Sequence, residues 1–363
     1  MITIQNIYDE MNEIAPFSLA EKTDNSGLLT GERSTVVSKI LLCLDITKEI
    51  ALEAVEKGVQ VIVSHHPVIY NPLYTLCNDN PAVILAKNNI AAICAHTNLD
   101  MASGGINDII AQKLGLKITL DPIETAYKLP FYQLAVFVPV ENATQVYNAM
   151  SKAGAGELGS YSGCAFSVEG TGTFLPLEGS HAYIGEVGKR EEVKEIRLEM
   201  IVPHYKRSQV IQAMLDAHPY EKPAYNLSEN LAIIEKFGFG KVGELPTELT
   251  SKQLAELIKK YFGNTVVRFN DTKKPIKTVG FCSGGGGGLV QKAIKLGLDA
   301  YICGDVKHDQ FIDAQNAGLA VFDAGHYHTE NIVLEYLQGI LTKKFPALSI
   351  SVATANRDIV NYL

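Results

Sequence analysis

No two cysteines in the sequence have the spacing of a thiolate metal site or a redox motif. The six (Cys43, Cys77, Cys94, Cys164, Cys282 and Cys303) occur singly, which argues against a soft sulfur-ligated centre. Four of them, Cys43, Cys94, Cys282 and Cys303, lie in or beside apolar strand-like runs, the pattern of reduced, packed thiols in a cytosol. Clustered basic charge is also missing: 32 Lys and Arg face 40 Asp and Glu, for a formal net charge of −8 and a pI near 5.6. A nucleic-acid surface working by bulk charge is thereby excluded, and small molecules or proteins are the expected partners. No apolar run reaches membrane-spanning length, and Met1-Ile2-Thr3-Ile4-Gln5-Asn6 has neither a basic segment nor an uninterrupted apolar one. The expectation is a soluble, cytoplasmic protein with no membrane partner.

What the chain does contain is organised around Val61-Ile62-Val63-Ser64-His65-His66-Pro67. A buried strand ends there in two adjacent histidines, whose side chains leave in different directions because successive residues of a strand alternate. Neutral imidazoles are common transition-metal ligands, so one or two ions are the first idea. Lys39 to Asp45 reads as the preceding strand and Ile90 to Ala95 as the following one, with Thr47 capping one intervening helix and Pro81 opening the other. A helix over Ile106 to Leu114 closes this part. The β-α-β-α-β order predicts a parallel sheet with right-handed crossovers and functional groups at strand carboxyl ends.

The C-terminal third repeats the scheme. Strands are expected at Ile276–Cys282, Asp299–Cys303 and Leu319–Phe322, then a long helix to about Lys344 and a last strand at Leu348–Val352. Between the two halves, residues 127–235 read β-α-β-β-α-β, a ferredoxin-like plait. At 363 residues the chain divides into an α/β lobe over 1–126, an inserted α+β domain over 127–235 and a similar α/β lobe over 236–363. Within the insert, the glycine-rich stretch Gly154 to Gly172 is expected to be a mobile loop or an interface. His218-Pro219-Tyr220-Glu221-Lys222-Pro223 offers either a small-ligand site or a rigid turn at an oligomer contact, and its two prolines favour the turn.

Six of the nine histidines, His65, His66, His96, His308, His326 and His328, fall at strand ends or in the loops leaving them. With Asp100 and Glu330 beside them, metal binding explains the pattern better than six isolated structural histidines. His326 and Glu330 are spaced i, i+4 and share a helix face if the helix starts at His326. Asp100, four residues beyond His96, offers a carboxylate that can bridge two ions. The ligand types suit zinc, iron or manganese. Such a pair would support metal-assisted hydrolysis, with His96, His308 and His328 as orienting groups or proton carriers. Ser283 and Gly284 to Gly288, directly after a strand, fit either a phosphate cradle or a close backbone approach beside the metals, and no Walker or dinucleotide fingerprint is present.

Across almost the whole chain, a set of motifs together resembles the Nif-three-like dinuclear metal-centre proteins, a family that also goes by GTP cyclohydrolase I type 2 homologues. They are Asp24-Asn25-Ser26-Gly27-Leu28, Ser64-His65-His66-Pro67, His96-Thr97-Asn98-Leu99-Asp100, Gly238-Phe239-Gly240-Lys241-Val242-Gly243-Glu244-Leu245, Cys282-Ser283-Gly284, Gly304-Asp305-Val306-Lys307-His308 and Gly325-His326-Tyr327-His328-Thr329-Glu330. The resemblance implies His65, His66, Asp100, His326 and Glu330 as ligands of two divalent ions per subunit, with Asp100 and Glu330 bridging. Asp100, Glu330 and His96 become the expected catalytic residues. It also implies a homohexamer, a trimer of dimers, and makes the insert look like a PII/CutA-like domain. The expected function is a dinuclear-metal-dependent hydrolase of a nucleotide or similar small anionic metabolite; the alternative is a non-catalytic metal-binding hexamer whose insert senses a ligand or partner. In that family a tryptophan usually precedes the Asp-Asn pair, whereas Thr23 stands here and the chain has no tryptophan.

Overall fold

The computed structural model describes residues 1–120, 122–263 and 266–361. In chain order, Ile4–Ile14 (α1), Gly27–Thr30 (β1), Lys39–Cys43 (β2), Lys48–Lys57 (α2), Val61–Ser64 (β3), Pro81–Lys87 (α3), Ala91–Cys94 (β4), Thr97–Met101 (α4), Ile106–Leu114 (α5) and Lys117–Leu120 (β5) come first. Glu124–Pro139 (β6), Ala143–Lys152 (α6), Ala165–Phe174 (β7), Glu191–Val202 (β8), Arg207–Ala217 (α7) and Tyr225–Phe239 (β9) follow. The remainder is Lys241–Leu249 (β10), Ser251–Phe262 (α8), Arg268–Phe269 (β11), Ile276–Phe281 (β12), Val290–Lys295 (α9), Ala300–Cys303 (β13), His308–Ala317 (α10), Ala320–Asp323 (β14), His326–Lys344 (α11) and Ser349–Val352 (β15). The chain forms two compact units, one of residues 1–127 with 236–363 and the other of residues 128–235. The fold is mixed α/β, with several sheets.

The larger unit holds two sheets. In the first, ordered β1-β4-β3-β2-β15, strands β2, β3 and β4 run parallel. In the second, ordered β11-β14-β13-β12-β10-β5, strands β12, β13 and β14 run parallel. Because side chains alternate along a strand, each sheet buries two faces. Ile40, Leu42, Val61, Val63 and Ile93 from the first sheet share one core with Phe281, Ile302 and Phe322 from the second, and α1, α5, α8 and α11 contribute Ile7, Ile110, Ile258 and Leu337 to it. The opposite faces are covered separately: Leu41, Ile62 and Ala92 pack with α2 and α3, and Tyr301, Cys303 and Val321 with α9 and α10. At roughly 25 cal/mol per Å² of apolar surface removed from water, the shared core is the main force holding the two sheets in one body.

One strand lies where the linear order does not put it. The strand expected to end the second half, β15, pairs in parallel with β2 of the first sheet. The long α11 packs against it and carries the chain back. On the other side β5, from the N-terminal half, pairs antiparallel with β10.

In the smaller unit, the strands follow the order β7-β8-β6-β9, with β8 antiparallel to both β6 and β7. Leu134, Val136 and Val138 with Leu198, Met200 and Val202 bury one face against Val146 and Met150 of α6 and Val210 and Met214 of α7. Of the Gly154–Gly172 stretch, expected as a mobile loop or an interface, the part from Ala165 on is a strand and not a loop. Residues 165–174 form β7, paired residue by residue with β8 from Ala165↔Met200 to Phe174↔Glu191. The strand lacks apolar periodicity because almost all of it is exposed, so backbone pairing rather than burial defines it.

Candidate metal centre

Strand ends from both sheets of the larger unit supply the polar cluster. Beyond β3, the amides of His65 and His66 still donate to Cys43 and Leu44 carbonyls, at 3.2 and 2.9 Å. Strand geometry therefore persists for two residues, which sends the two rings to different sides. His65 is 1% exposed. His96 follows β4 and Asp100 sits one turn later in α4. From the second sheet, His326 is the first residue of α11 and Glu330 lies one turn on, with Nε2 and Oε1 3.1 Å apart.

Each of four imidazoles is gripped from behind. Nδ1 of His65 donates to the Ala95 carbonyl at 2.9 Å. Nδ1 of His66 meets Asp45 at 2.8 Å, that of His96 meets Asp24 at 2.8 Å and that of His326 meets Asp305 at 2.7 Å. An acceptor at Nδ1 keeps a proton there, so that Nε2 is the nitrogen that presents a lone pair once the ring is neutral, the arrangement typical of metal-ligating histidine. Three donor groups result, each with its atoms within 4.8 Å of one another: His65, His66 and His96; His66, His326 and Glu330; His65, Asp100 and Glu330.

The donors are not satisfied by one another. His65 Nε2 and Glu330 Oε2 are buried without a hydrogen-bond partner among the described residues. His65 Nε2 nevertheless lies 3.5 Å from Glu330 Oε1 and 3.9 Å from Asp100 Oδ2, and His66 Nε2 lies 3.1 Å from Glu330 Oε2. Buried lone pairs converging in this way cost free energy unless a proton or a cation sits among them. Electrostatics point the same way. Burial would lower the pKa of His66, but Asp45 and Glu330 outweigh it and raise it to about 10. Glu330, hydrogen bonding to His326, together with Asp305, raises His326 to about 9. Burial also disfavours charge on Glu330, yet His65, His326 and His66 around it hold its carboxyl well below the usual range. Burial pushes Asp100 up. Imidazole and carboxylate donors fit a borderline divalent cation. The nearby Cys282 thiol is kept protonated by burial and by the negative charges of Asp100 and Glu330, so no thiolate competes.

His65, His66, His96, Asp100, His326 and Glu330, all singled out in the sequence, come together here. His308 and His328 do not. His308 opens α10, and His328 instead pairs with Asp358 at 3.3 Å. Asp305, part of the Gly304-to-His308 motif, holds His326. Asp24 and Asp45 carried no ligand-like spacing, and only the fold brings them behind His96 and His66. The glycine run makes a close approach: a Cβ on Gly284 would lie 2.0 Å from Glu330 Oε1 and 3.1 Å from His326 Nε2.

Two α/β sheets whose carboxyl ends converge on histidines and carboxylates able to hold a metal define the class of protein. Residues 2–359 match the family model Duf34/NIF3 (NGG1p interacting factor 3), and the chain belongs to that family. It is 38% identical to the GTP cyclohydrolase 1 type 2 homolog of Bacillus subtilis, covering 93% of this chain and 91% of that one. With the GTP cyclohydrolase 1 type 2 homolog of Halalkalibacterium halodurans it shares 33% identity over 99% of this chain and 98% of the relative. Among solved structures, a Bacillus cereus protein related to NIF3 superposes with a TM-score of 0.85 at 35% identity, covering 100% of this chain and 99% of that one. Among the described residues, no helix is long and apolar enough to cross a membrane.

Proposed function

We propose that the chain is a dinuclear-metal-dependent hydrolase of a nucleotide or a similar small anionic metabolite. The observation that carries the reading is the sharing of Glu330 by two donor triads, His66-His326-Glu330 and His65-Asp100-Glu330. Each triad would hold one ion and both would draw on Glu330, which leaves His96 of the cluster free for another role. When bound, such ions would polarise a phosphoryl or carbonyl oxygen and supply water acidified enough to attack near neutral pH. The protein's own part is to orient and to move protons. Asp24 holds the His96 ring by Nδ1, which turns Nε2 toward the centre to take or return a proton. Beside His66 and His326 opens a cavity of about 780 Å³ that Tyr327, Arg268 and Arg357 also line. That volume suits a nucleotide-sized ligand, whose anionic groups would be met by the ions rather than by the wall. Asp45, Glu49, Asp305, Asp323 and Asp358 outnumber Arg268 and Arg357 there, and Arg268 already pairs with Asp323. The names of the relatives, GTP cyclohydrolase 1 type 2 homolog, agree with a nucleotide substrate.

In the same reading, residues 128–235 are an inserted ferredoxin-like domain of the PII/CutA-like kind, supported by the strand order β7-β8-β6-β9, and the chain assembles as a homohexamer. The test is a nucleotide panel incubated with protein loaded with zinc, iron or manganese. Turnover is expected, and Asp100→Ala or Glu330→Ala should abolish it together with bound metal. Turnover that survives removal of the metal overturns the reading. A cavity on the insert favours a second reading, a non-catalytic metal-binding assembly whose insert senses a ligand.

A further inference from the structure

The His218-Pro219-Tyr220-Glu221 stretch has no part in the metal centre, yet Tyr220 and Glu221 line a cavity of about 720 Å³ whose walls all belong to residues 128–235. Its size is that of a small-molecule site. One wall is the sheet face turned away from α6 and α7, where Phe137, Glu195 and Arg197 alternate with the core residues Val136, Val138, Ile196 and Leu198. The other wall is aromatic. Tyr220 lies 5.8 Å from Phe174 and 6.3 Å from Tyr183, ring centre to ring centre.

Glu195 is the unusual member of this lining. It is 8% exposed, and its Oε1 accepts the Tyr220 hydroxyl at 2.9 Å. Among the described residues no basic nitrogen pairs with it; Arg197, two residues on, turns to Glu199 at 2.7 Å. The fold makes room for this carboxylate, because a Cβ on Gly172 would lie 2.2 Å from Glu195 Oε2. His218 does not neutralise it. Its Nε2 donates to the Phe137 carbonyl at 2.9 Å, its Nδ1 accepts the Tyr220 amide at 3.0 Å, and burial lowers its pKa. With both ring nitrogens used, His218 cannot ligate a metal here. A buried carboxylate beside three aromatic rings, lacking a cation, is the chemical complement of an ammonium group, which gains from both the charge and the ring faces.

We propose that this cavity binds a small organic cation, an alkylammonium or quaternary ammonium compound, with its charge against Glu195 and its carbon skeleton against Tyr220, Phe174 and Tyr183. The second reading above gains a ligand class from this, but binding here needs no metal, so nucleotide turnover can stand or fall without it.

The test is calorimetric titration of the full chain with choline, with butylammonium and with 3,3-dimethylbutan-1-ol, the neutral isostere of choline. Saturable binding of at least one cation is expected, with the isostere weaker by about ten-fold or more. Glu195→Gln, in which the amide oxygen still accepts the Tyr220 hydroxyl, should weaken the cation by a similar factor, while Tyr220→Phe keeps the ring and most of the binding. If Glu195→Gln fails to fold, the cation and isostere compared on the unaltered chain decide the matter. No saturable binding of either cation in the millimolar range, equal binding of the isostere, or undiminished binding by a folded Glu195→Gln protein overturns the proposal.

Discussion

Ser283 donates its hydroxyl to Asp100 Oδ1 across 2.5 Å, tying the loop after β12 in one sheet to the helix after β4 in the other. Asn107 completes the junction, donating to the Asp100 carbonyl at 3.0 Å and accepting the Ser283 amide at 3.1 Å. Asp100 thus has one oxygen fixed and the other, Oδ2, directed toward His65. Removing the hydroxyl by Ser283→Ala frees the carboxylate to rotate while Asn107 keeps the backbone in place. Metal affinity should fall about 10- to 100-fold, as for other partners that orient a ligand. Titration against a chelating indicator reads the change, and unchanged affinity would show that the Ser283 hydroxyl does not orient a ligand.

Proton linkage follows from the acids facing two of the imidazoles. His66 is raised to about 10 and His326 to about 9, so near neutral pH each carries a proton that an incoming cation must displace. Apparent metal affinity should therefore rise with pH up to about 9 to 10 and weaken as pH falls. The stability these ion pairs give without metal has the opposite sign: it is fully present below the ordinary histidine pKa of about 6.5 and lost as pH rises through about 9 to 10. Calorimetric metal titrations in two buffers of different ionisation enthalpy should show net proton release. Heats independent of buffer would sink this account.

The parts of this arrangement that local chemistry dictates could be read from the sequence. Runs such as Val61–Val63 and Tyr301–Cys303 are apolar at successive positions because both faces of their strands are buried, and the polar residues that follow them must lie at strand ends. His326 and Glu330 come together through helix periodicity alone. What escaped depends on distant chain segments meeting. The pairing of β15 with β2 brings together residues about 310 positions apart, and a four-residue strand holds no record of its neighbour. Asp24 and Asp45 differ from surface aspartates only in what lies opposite them. For His308 and His328 the same ambiguity ran the other way: position near a strand end did not bring them to the cluster.

Glu53 anchors the segment that follows β15. Its carboxylate accepts Lys57 Nζ at 2.5 Å and the amides of Thr354 and Ala355 at 2.8 and 3.0 Å. Burial would raise its pKa, but these donors prevail and lower it to about 2. A depressed carboxyl stabilises the fold above its unfolded value near 4.5, and that contribution is lost as pH falls toward 2. Glu53→Gln should cost roughly 1–3 kcal/mol at pH 7, and the gap to the parent should close between about pH 4.5 and pH 2. Urea unfolding at several pH values measures it; a gap independent of pH would show that packing rather than charge is what Glu53 supplies.

Gly284 and Gly285 stand side by side in the loop after β12 and should respond differently to the same methyl group. Gly284 has φ +59, and a Cβ there would meet Glu330 Oε1 at 2.0 Å. The positive φ alone costs an L-residue about 1 kcal/mol. The larger effect is that Glu330, packed on α11 with three imidazoles around it, must move off the position where both donor triads meet. At Gly285 the nearest atom to an added Cβ is Asp305 Oδ2 at 3.4 Å, which a small side-chain shift accommodates. Gly284→Ala should therefore lose most bound metal and at least half of its stoichiometry, while Gly285→Ala keeps both. Elemental analysis of the two purified variants, with thermal melts to show that each is folded, distinguishes them. Equal metal content in the pair would mean that the glycine run serves the backbone turn and not the space Glu330 occupies.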